Sequence, residues 1–173
     1  EDRAAKSSVI SAEGKKIGVI NIRSFYNNLH LDVIKELEKL KKQKVDGILI
    51  DLRDNGGGAL SEATDLTGLF IKSGPVVQVR DSIGRVAVEE DTDGKSYYSG
   101  PLTILINRYS ASASEIFSAA LSDYGRALVV GDTTYGKGTV QQNRPLKKIY
   151  DFYDKELGNV QYTIAKFYRI NGG

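Results

Sequence analysis

Three serines and one lysine carry the clearest chemical signal in this 173-residue chain. The serines are Ser110, Ser112 and Ser114, which are separated by single alanines and follow the apolar run 102–106. From Ser114 the apolar residues keep a helical spacing up to Gly125, so the serines are expected at a strand-to-helix junction. A hydroxyl there either caps the helix or lies beside backbone N–H groups that stabilise an oxyanion. Both readings stay open on this stretch alone, because serine is a preferred N-cap residue.

A serine hydroxyl becomes a strong nucleophile only when a base removes its proton, and the sequence offers two candidates. The single histidine, His30, stands in a polar stretch before the first predicted helix, where a solvated surface position is expected. Lys137 lies between two glycines soon after the apolar run 127–130, whereas most other lysines belong to charged runs. Burial disfavours the charged ammonium, so a lysine held in this way can act as a base. Lys137 is therefore the preferred candidate base.

The elements that must position these residues follow from hydrophobic patterning. The runs 17–22 and 47–51 predict buried strands, and 27–44 predicts an amphipathic helix between them, hence a β-α-β unit with parallel pairing. The loop 53–59 comes next, at the carboxyl end of a strand, where open α/β sheets bind ligands. Its three consecutive glycines let a substrate carbonyl approach the backbone N–H groups, although an ordinary turn is the alternative.

Further elements are predicted on both sides of the serine stretch. The sequence indicates a helix at 61–70, a hairpin from strand 76–80 through 83–85 to 86–88, an extended run at 139–142 and a long strand at 160–167, while 149–157 has no clear form. The length and the 40 % hydrophobic content favour one domain. The absence of an initiating methionine and the abrupt end predict a fragment of a longer protein.

Composition excludes several functional classes. With 24 basic and 22 acidic residues the formal charge is +2, which argues against a nucleic-acid or membrane-surface footprint. Cysteine is absent, so neither a disulfide framework nor a thiolate site is expected. No apolar run reaches the length of a membrane span, so membrane association is not visible in the sequence.

Three separated motifs resemble one family in order and content. They are Asp-Leu-Arg-Asp-Asn-Gly-Gly-Gly at 51–58, Ser-Ala-Ser-Ala-Ser-Glu at 110–115 and Tyr-Gly-Lys-Gly-Thr-Val-Gln-Gln at 135–142. Together they resemble the carboxy-terminal processing peptidases, and most closely the bacterial tail-specific proteases, over nearly the whole chain. The resemblance implies an α/β fold of the crotonase and Clp-protease type, a curved mixed sheet with helices built from repeated ββα units.

The resemblance also implies roles for individual residues. Ser112 corresponds to the nucleophile, Lys137 to the general base and Gln141 to the glutamine that orients the lysine. The oxyanion hole corresponds to the backbone N–H groups of Ala113 and Gly58. The mechanism so implied calls for no metal and no organic cofactor.

The function implied is that of a periplasmic serine endopeptidase. Family members select proteins by apolar, unstructured C-terminal tails, which a PDZ domain captures; no separate domain of that kind is visible in this sequence. The oligomeric state is not readable from the sequence.

Two other functions compete with that of a serine endopeptidase. The first is a protease-like scaffold without activity. The second is a P-loop nucleotidase, since Gly131 to Lys137 fits its spacing, but Gly138 replaces the expected hydroxyl residue and no helix is predicted to follow.

Overall fold

The computed structural model describes residues 4–146 and 158–173, which form nine strands and three helices. In chain order these are β1 (Lys6–Ala12), β2 (Lys15–Asn21), α1 (Leu29–Lys42), β3 (Gly47–Asp51), α2 (Leu60–Gly68), β4 (Gly74–Asp81), β5 (Val86–Asp91), β6 (Leu102–Ile106), α3 (Ala113–Asp123), β7 (Leu128–Gly131), β8 (Thr139–Pro145) and β9 (Asn159–Tyr168). The expected elements are confirmed, and β5 and β8 run longer than their apolar patterns indicated. The segment 149–157 lies outside the described residues.

The first sheet has the strand order β1-β2-β3-β6-β7. Strand β1 is antiparallel to β2, whereas β2, β3, β6 and β7 run parallel, which confirms the pairing expected for the β-α-β unit. Because parallel strands end at the same edge of a sheet, the chain leaves β3, β6 and β7 on one side. Three separate loops are thereby gathered at that edge.

The core lies between this sheet and the helices. Helix α1 buries Leu29, Val33, Leu37 and Leu40, the stripe that its spacing predicts. Aromatic rings pack at the centre of this core. The ring of Phe117 in α3 lies 6.1 Å from that of Phe70, just after α2, and 6.2 Å from that of Phe25, just before α1, centroid to centroid. These rings are almost completely buried, so the start of α3 is anchored on a rigid support.

The second sheet has the order β5-β4-β9-β8 and is antiparallel throughout. Strand β9 pairs with β4 on one side and with β8 on the other, which returns the end of the chain to the region after Lys137. The α/β class is confirmed, and the first sheet is the mixed one. In the described residues no helix is both long enough and apolar enough to cross a membrane.

The expectation of a solvated His30 is wrong. This histidine lies in the first turn of α1, with its side chain 24 % exposed and Nδ1 2.9 Å from a carboxylate oxygen of Glu62. The Glu62 carboxylate also accepts the backbone N–H groups of Asn28 and His30 at the start of the helix. His30 therefore belongs to the anchoring of α1 on α2, which the polar local sequence did not reveal.

Candidate active site

Three loops meet at the carboxyl edge of the parallel strands. We call them the glycine loop (residues 52–59, after β3), the serine loop (residues 107–112, after β6) and the lysine loop (residues 132–138, after β7). Backbone bonds connect them, since Ala111 N–H donates to Asn55 O at 3.0 Å and Tyr135 N–H donates to Ser110 O at 3.0 Å. The three sequence motifs are thus brought together by the order of the strands.

The three serines differ in their burial and in their hydrogen bonds. Ser110 and Ser114 are completely buried, and their hydroxyls donate to Leu52 O at 2.8 Å and to Asn55 O at 2.9 Å. Both therefore tie the serine stretch to the glycine loop. Ser112 is the N-cap residue of α3, is only half-buried, and has φ 56° and ψ −115°. A positive φ is uncommon outside glycine, and such backbone strain is concentrated at functional sites.

The glycine loop is held against the serine loop by Asn55, whose importance the sequence did not signal. Asn55 is fully buried, its amide donates to Ile22 O at 2.8 Å and its side-chain oxygen accepts Gly57 N–H at 2.9 Å. Gly57 has φ +94°, and a Cβ added to it would lie 2.8 Å from Ser112 Cβ. The two loops are in direct contact at the predicted nucleophile.

Two backbone N–H groups remain for an oxyanion. In the part of the chain that the structure describes, neither Gly58 N–H nor Ala113 N–H donates to a protein acceptor. A Cβ added to Gly57, the neighbour of Gly58, would lie 2.9 Å from the Ala113 nitrogen, so the glycine loop closely approaches the start of α3. Ala113 also begins α3, whose N-terminus favours negative charge.

The start of the glycine loop is fixed by Asp51 and Arg53. Asp51 Oδ1 accepts the Arg53 backbone N–H and Nε, and Oδ2 accepts Nη2 at 2.6 Å. Hydrogen bonds from Arg53 hold the pKa of the Asp51 carboxyl below its ordinary value, although burial acts in the opposite direction. A carboxyl with a lowered pKa in the folded state stabilises the protein above its unfolded-state pKa. That contribution is lost as the pH falls through the folded-state pKa.

We therefore expect Asp51→Asn to lower the melting temperature at neutral pH by about 2–4 °C, the scale of one lost interaction in a domain of this size. The amide cannot accept at both of its heavy atoms, so Arg53 loses a partner. Thermal unfolding of both proteins from pH 7 to pH 2 measures the effect. The difference should begin to shrink below about pH 4, where the carboxyl of the unfolded chain becomes protonated. It should vanish once the pH has fallen through the lowered folded-state pKa of Asp51. A difference in melting temperature that stays constant from pH 7 to pH 2 would show that the ionised Asp51 carboxyl does not stabilise the fold.

The lysine loop is anchored by Glu115. One carboxylate oxygen accepts the N–H of Gly136 at 2.7 Å, and the other accepts the N–H groups of Lys137 and Ser112 at 2.9 and 2.8 Å. A single half-buried side chain thus joins the backbone of the predicted base to that of the predicted nucleophile. The motif Ser-x-x-Glu is the spacing of a capping box, which could have identified Glu115 from the sequence.

We expect Glu115→Gln to lower kcat/KM for the peptide hydrolysis that the sequence resemblance implies about 10- to 100-fold, the equivalent of one or two charge-assisted hydrogen bonds. Only one heavy atom of the glutamine amide accepts hydrogen bonds, so at least one of the three N–H donors is left unpaired. Steady-state kinetics give the loss, and circular dichroism checks the fold. The control is Glu38→Gln on the exposed face of α1. Equal rates for the two variants would show that the bridge does not position the site.

Ser112 and Lys137 share one cavity. This cavity has a volume of about 430 Å³ and lies between α3 and the two sheets, with Ser112, Glu115 and Lys137 in its lining. Lys137 is half-buried, and in the described part of the chain its Nζ makes no hydrogen bond and does not reach Ser112 Oγ. The two side chains therefore line the same cavity without a hydrogen bond between them.

Gln141 lies in β8, at a register shift in the pairing with β9. Its side-chain oxygen accepts Gln161 Nε2 at 2.9 Å, and Lys137 is not among its hydrogen-bond partners. The structure therefore brings Ser112, Lys137, Ala113 and the glycine loop together and places Gln141 on the adjacent ribbon.

One group of side chains in the described residues has the composition of a metal site. His30, Glu62 and Asp65 offer ligand atoms within 4.8 Å of one another, and burial raises the pKa of the Asp65 carboxyl. Both Glu62 oxygens already accept hydrogen bonds from the start of α1, so the group is accounted for by helix anchoring. None of the three residues lines the cavity of Ser112 and Lys137.

Comparison with known proteins agrees with these motifs. Residues 16–173 match Peptidase family S41. The chain belongs to this family. A likeness at the level of the fold is also clear: a photosystem II D1 C-terminal processing protease superposes with a TM-score of 0.81 at 28 % identity, over 98 % of this chain and 44 % of that one.

Two curated relatives show the range of the similarity. The tail-specific protease of Haemophilus influenzae is 57 % identical over 173 residues, which is 100 % of this chain and 25 % of that protein. The carboxy-terminal processing protease CtpB of Bacillus subtilis is 33 % identical over 168 residues, or 92 % of this chain and 32 % of that protein. The chain thus spans about a quarter to a third of the length of these family members.

The alternative prediction of a P-loop nucleotidase is wrong, because the structure after Lys137 differs from that of a P-loop. A P-loop lysine opens a helix whose N-terminus receives the phosphate. Here Lys137 is followed by strand β8 instead. The spacing from Gly131 to Lys137 is therefore coincidental, because the element needed to bind the phosphate is absent at that position.

Proposed function

We propose that this chain is the catalytic part of a serine endopeptidase that forms an acyl-enzyme through Ser112. The observation that carries the proposal is the different treatment of the three serines. Ser110 and Ser114 donate their hydroxyls to carbonyls of the glycine loop, while Ser112 faces a cavity that Lys137 also lines. The Ser112 hydroxyl lies at a helix N-terminus, and the backbone N–H groups of Gly58 and Ala113 donate to no acceptor in the described residues. Such an arrangement suits nucleophilic attack on a carbonyl.

In the proposed mechanism Lys137 enters the reaction as a neutral amine. Its Nζ takes the proton of Ser112 Oγ while Oγ bonds to the carbonyl carbon, and the N–H groups of Ala113 and Gly58 hold the developing oxyanion. The carbon–nitrogen bond then breaks, and Lys137 passes its proton to the leaving amine. Water next attacks the ester, gives its proton to Lys137, and Ser112 Oγ recovers that proton as the acid departs.

The mechanism requires closer contact between the two side chains than the structure describes. In our proposal Gln141 assists by orienting Lys137, which requires it to exchange its hydrogen bond with Gln161. Both residues lie on the β8–β9 ribbon or directly before it, so a shift of this ribbon would move Lys137 and Gln141 together.

The substrates proposed are proteins with apolar, unstructured C-terminal tails, and the site of action proposed is the bacterial periplasm. The name of the Haemophilus influenzae relative, a tail-specific protease, supports the first point. The apolar part of the cavity wall, which includes Ile106, Val129 and Phe167, is also suited to apolar side chains. Recognition of the tail is assigned to parts of such proteins beyond the length that this chain spans, such as a PDZ domain.

The test is cleavage of an unstructured protein that ends in an apolar tail. We expect the complete gene product that carries this chain to cleave it and Ser112→Ala to lose the activity, with new termini identified by mass spectrometry. Ser114→Ala is the control, because it removes a hydroxyl from the same stretch that is bonded away from the cavity. Per folded molecule it should lose far less activity than Ser112→Ala. If every folded protein is inactive, the scaffold alternative is favoured; equal losses would mean that Ser112 is not the nucleophile.

A further inference from the structure

The hydroxyl of Ser118 on α3 is unusual because it has no hydrogen-bond partner in the described residues. Ser118 is only 4 % exposed, and it lies on the stretch of α3 that lines the cavity shared by Ser112 and Lys137. In the described part of the chain, Ser118 Oγ and Asp91 Oδ2 are the two buried side-chain polar atoms that lack a hydrogen-bond partner. Buried polar groups are nearly always paired, so such an atom requires an explanation.

The usual internal partner of a helical hydroxyl is the carbonyl four residues earlier. Helix α2 of this protein follows that rule, since Thr67 Oγ1 donates to Ala63 O at 2.7 Å and Thr64 Oγ1 donates to Leu60 O at 3.5 Å. Ser118 does not make the equivalent bond to Ser114. Its hydroxyl is thus left unused by the helix to which it belongs.

The surroundings of Ser118 define what could reach it. The cavity walls near α3 are mainly apolar and include Ile106, Ile116, Val129 and Phe167. The wall formed by these four residues favours apolar groups, because burial of an unpaired charge against it is costly. Serine has one side-chain torsion, and rotation about it can turn the hydroxyl toward the cavity at little cost. Beside Ser118 the cavity therefore offers apolar contact together with the Ser118 hydroxyl.

We propose that Ser118 determines specificity for the residue whose carbonyl Ser112 attacks, and that its hydroxyl hydrogen-bonds a hydroxyl on that side chain. The preferred residue is threonine over valine, and serine over alanine. A threonine methyl packs against the apolar walls while its Oγ1 pairs with Ser118. Valine has the same shape but leaves Ser118 unpaired. This inference rests on the proposed function, because it assigns the cavity beside Ser112 to the acyl side of the substrate.

The size of the preference follows from the net worth of one neutral hydrogen bond. We expect kcat/KM to be about five- to tenfold higher for threonine than for valine at this position. In Ser118→Ala the ratio should fall to about one. Removal of an unpaired buried hydroxyl should also leave the melting temperature unchanged or raise it, since the alanine variant no longer buries an unsatisfied group.

The experiment uses two unstructured peptides with the same apolar tail, which differ only by threonine or valine on the acyl side of a single cleavage site. The complete gene product, Ser118→Ala and the matched control Ser122→Ala are compared by kcat/KM and by thermal unfolding. Ser122 lines the same cavity one turn further along α3 but is exposed to solvent, so its removal should leave the threonine-to-valine ratio as in the wild type.

Each outcome decides the question. A wild-type preference that disappears in Ser118→Ala and persists in Ser122→Ala supports the proposal. A ratio near one in the wild type, a ratio unchanged in Ser118→Ala, or a preference that appears only for the residue on the leaving side overturns it. A lower melting temperature of Ser118→Ala also overturns it, since the hydroxyl would then have a partner within the protein. If the peptides are cleaved equally well by Ser112→Ala, the proposed function itself fails, and the specificity inference fails with it.

Discussion

Lys137→Ala is expected to reduce the rate of peptide hydrolysis about 100- to 10,000-fold, the usual contribution of a general base. The Lys137 backbone N–H that binds Glu115 is retained in the variant, so the lysine loop stays anchored. The loss therefore reports the missing Nζ and not a displaced loop. Initial rates on a peptide with an apolar tail, together with circular dichroism of the folded protein, measure the effect.

Lys137→Arg separates a base from a simple positive charge. Arginine remains protonated in proteins, so it keeps the charge but cannot accept the Ser112 proton. We expect it to be as inactive as the alanine variant. The control is Lys72→Ala, which removes an exposed lysine. Substantial turnover by Lys137→Arg would mean that the lysine acts through its charge and that another group is the base.

Gly57→Ala is expected to lower kcat about 100-fold or more, which is the scale of one lost oxyanion donor. This loss is comparable to that of Lys137→Ala. An added Cβ would lie 2.6 Å from Ala111 O, 2.8 Å from Ser112 Cβ and 2.9 Å from the Ala113 nitrogen. Real Cβ atoms do not come so close, and φ +94° is strained for alanine. The glycine and serine loops must therefore separate, which would disrupt the oxyanion hole that we propose at Gly58 and Ala113.

The matched control for this prediction is Gly56→Ala. Gly56 precedes Gly57 directly, and an added Cβ there has no heavy atom within 4 Å. Kinetics and thermal unfolding of the two variants should differ sharply, with Gly57→Ala both slower and less stable. Similar kcat values for the two would show that close contact between the loops is not required for the chemistry.

Much of the fold was predictable because its elements are local. Helix α1 repeats apolar residues at three- and four-residue intervals, and β3 is a continuous apolar run, so each specifies its own conformation and buried face. The short connection through α1 also determined the parallel pairing of β2 with β3. The division into two sheets was not predictable, because β9 pairs with β4 across more than 80 residues of sequence.

The site was predictable to the level of its motifs. The family resemblance selected Ser112, whereas the residues alone left helix capping open for all three serines. The structure gives a physical distinction, because the hydroxyls of Ser110 and Ser114 are bonded to the glycine loop. It also places Gln141 beside Gln161, a neighbour that depends on the pairing of β8 with β9.

The sequence by itself determined the chemical groups, the secondary structure that carries them and the family to which the chain belongs. These depend on residue type and on neighbours a few positions away. Only the tertiary structure decided which groups meet: Glu115 with the lysine loop, Asn55 with the serine loop, and Ser118 with a cavity instead of a partner. Such contacts are set by the order of β3, β6 and β7 in the sheet, and that order arises from packing between segments far apart in the chain.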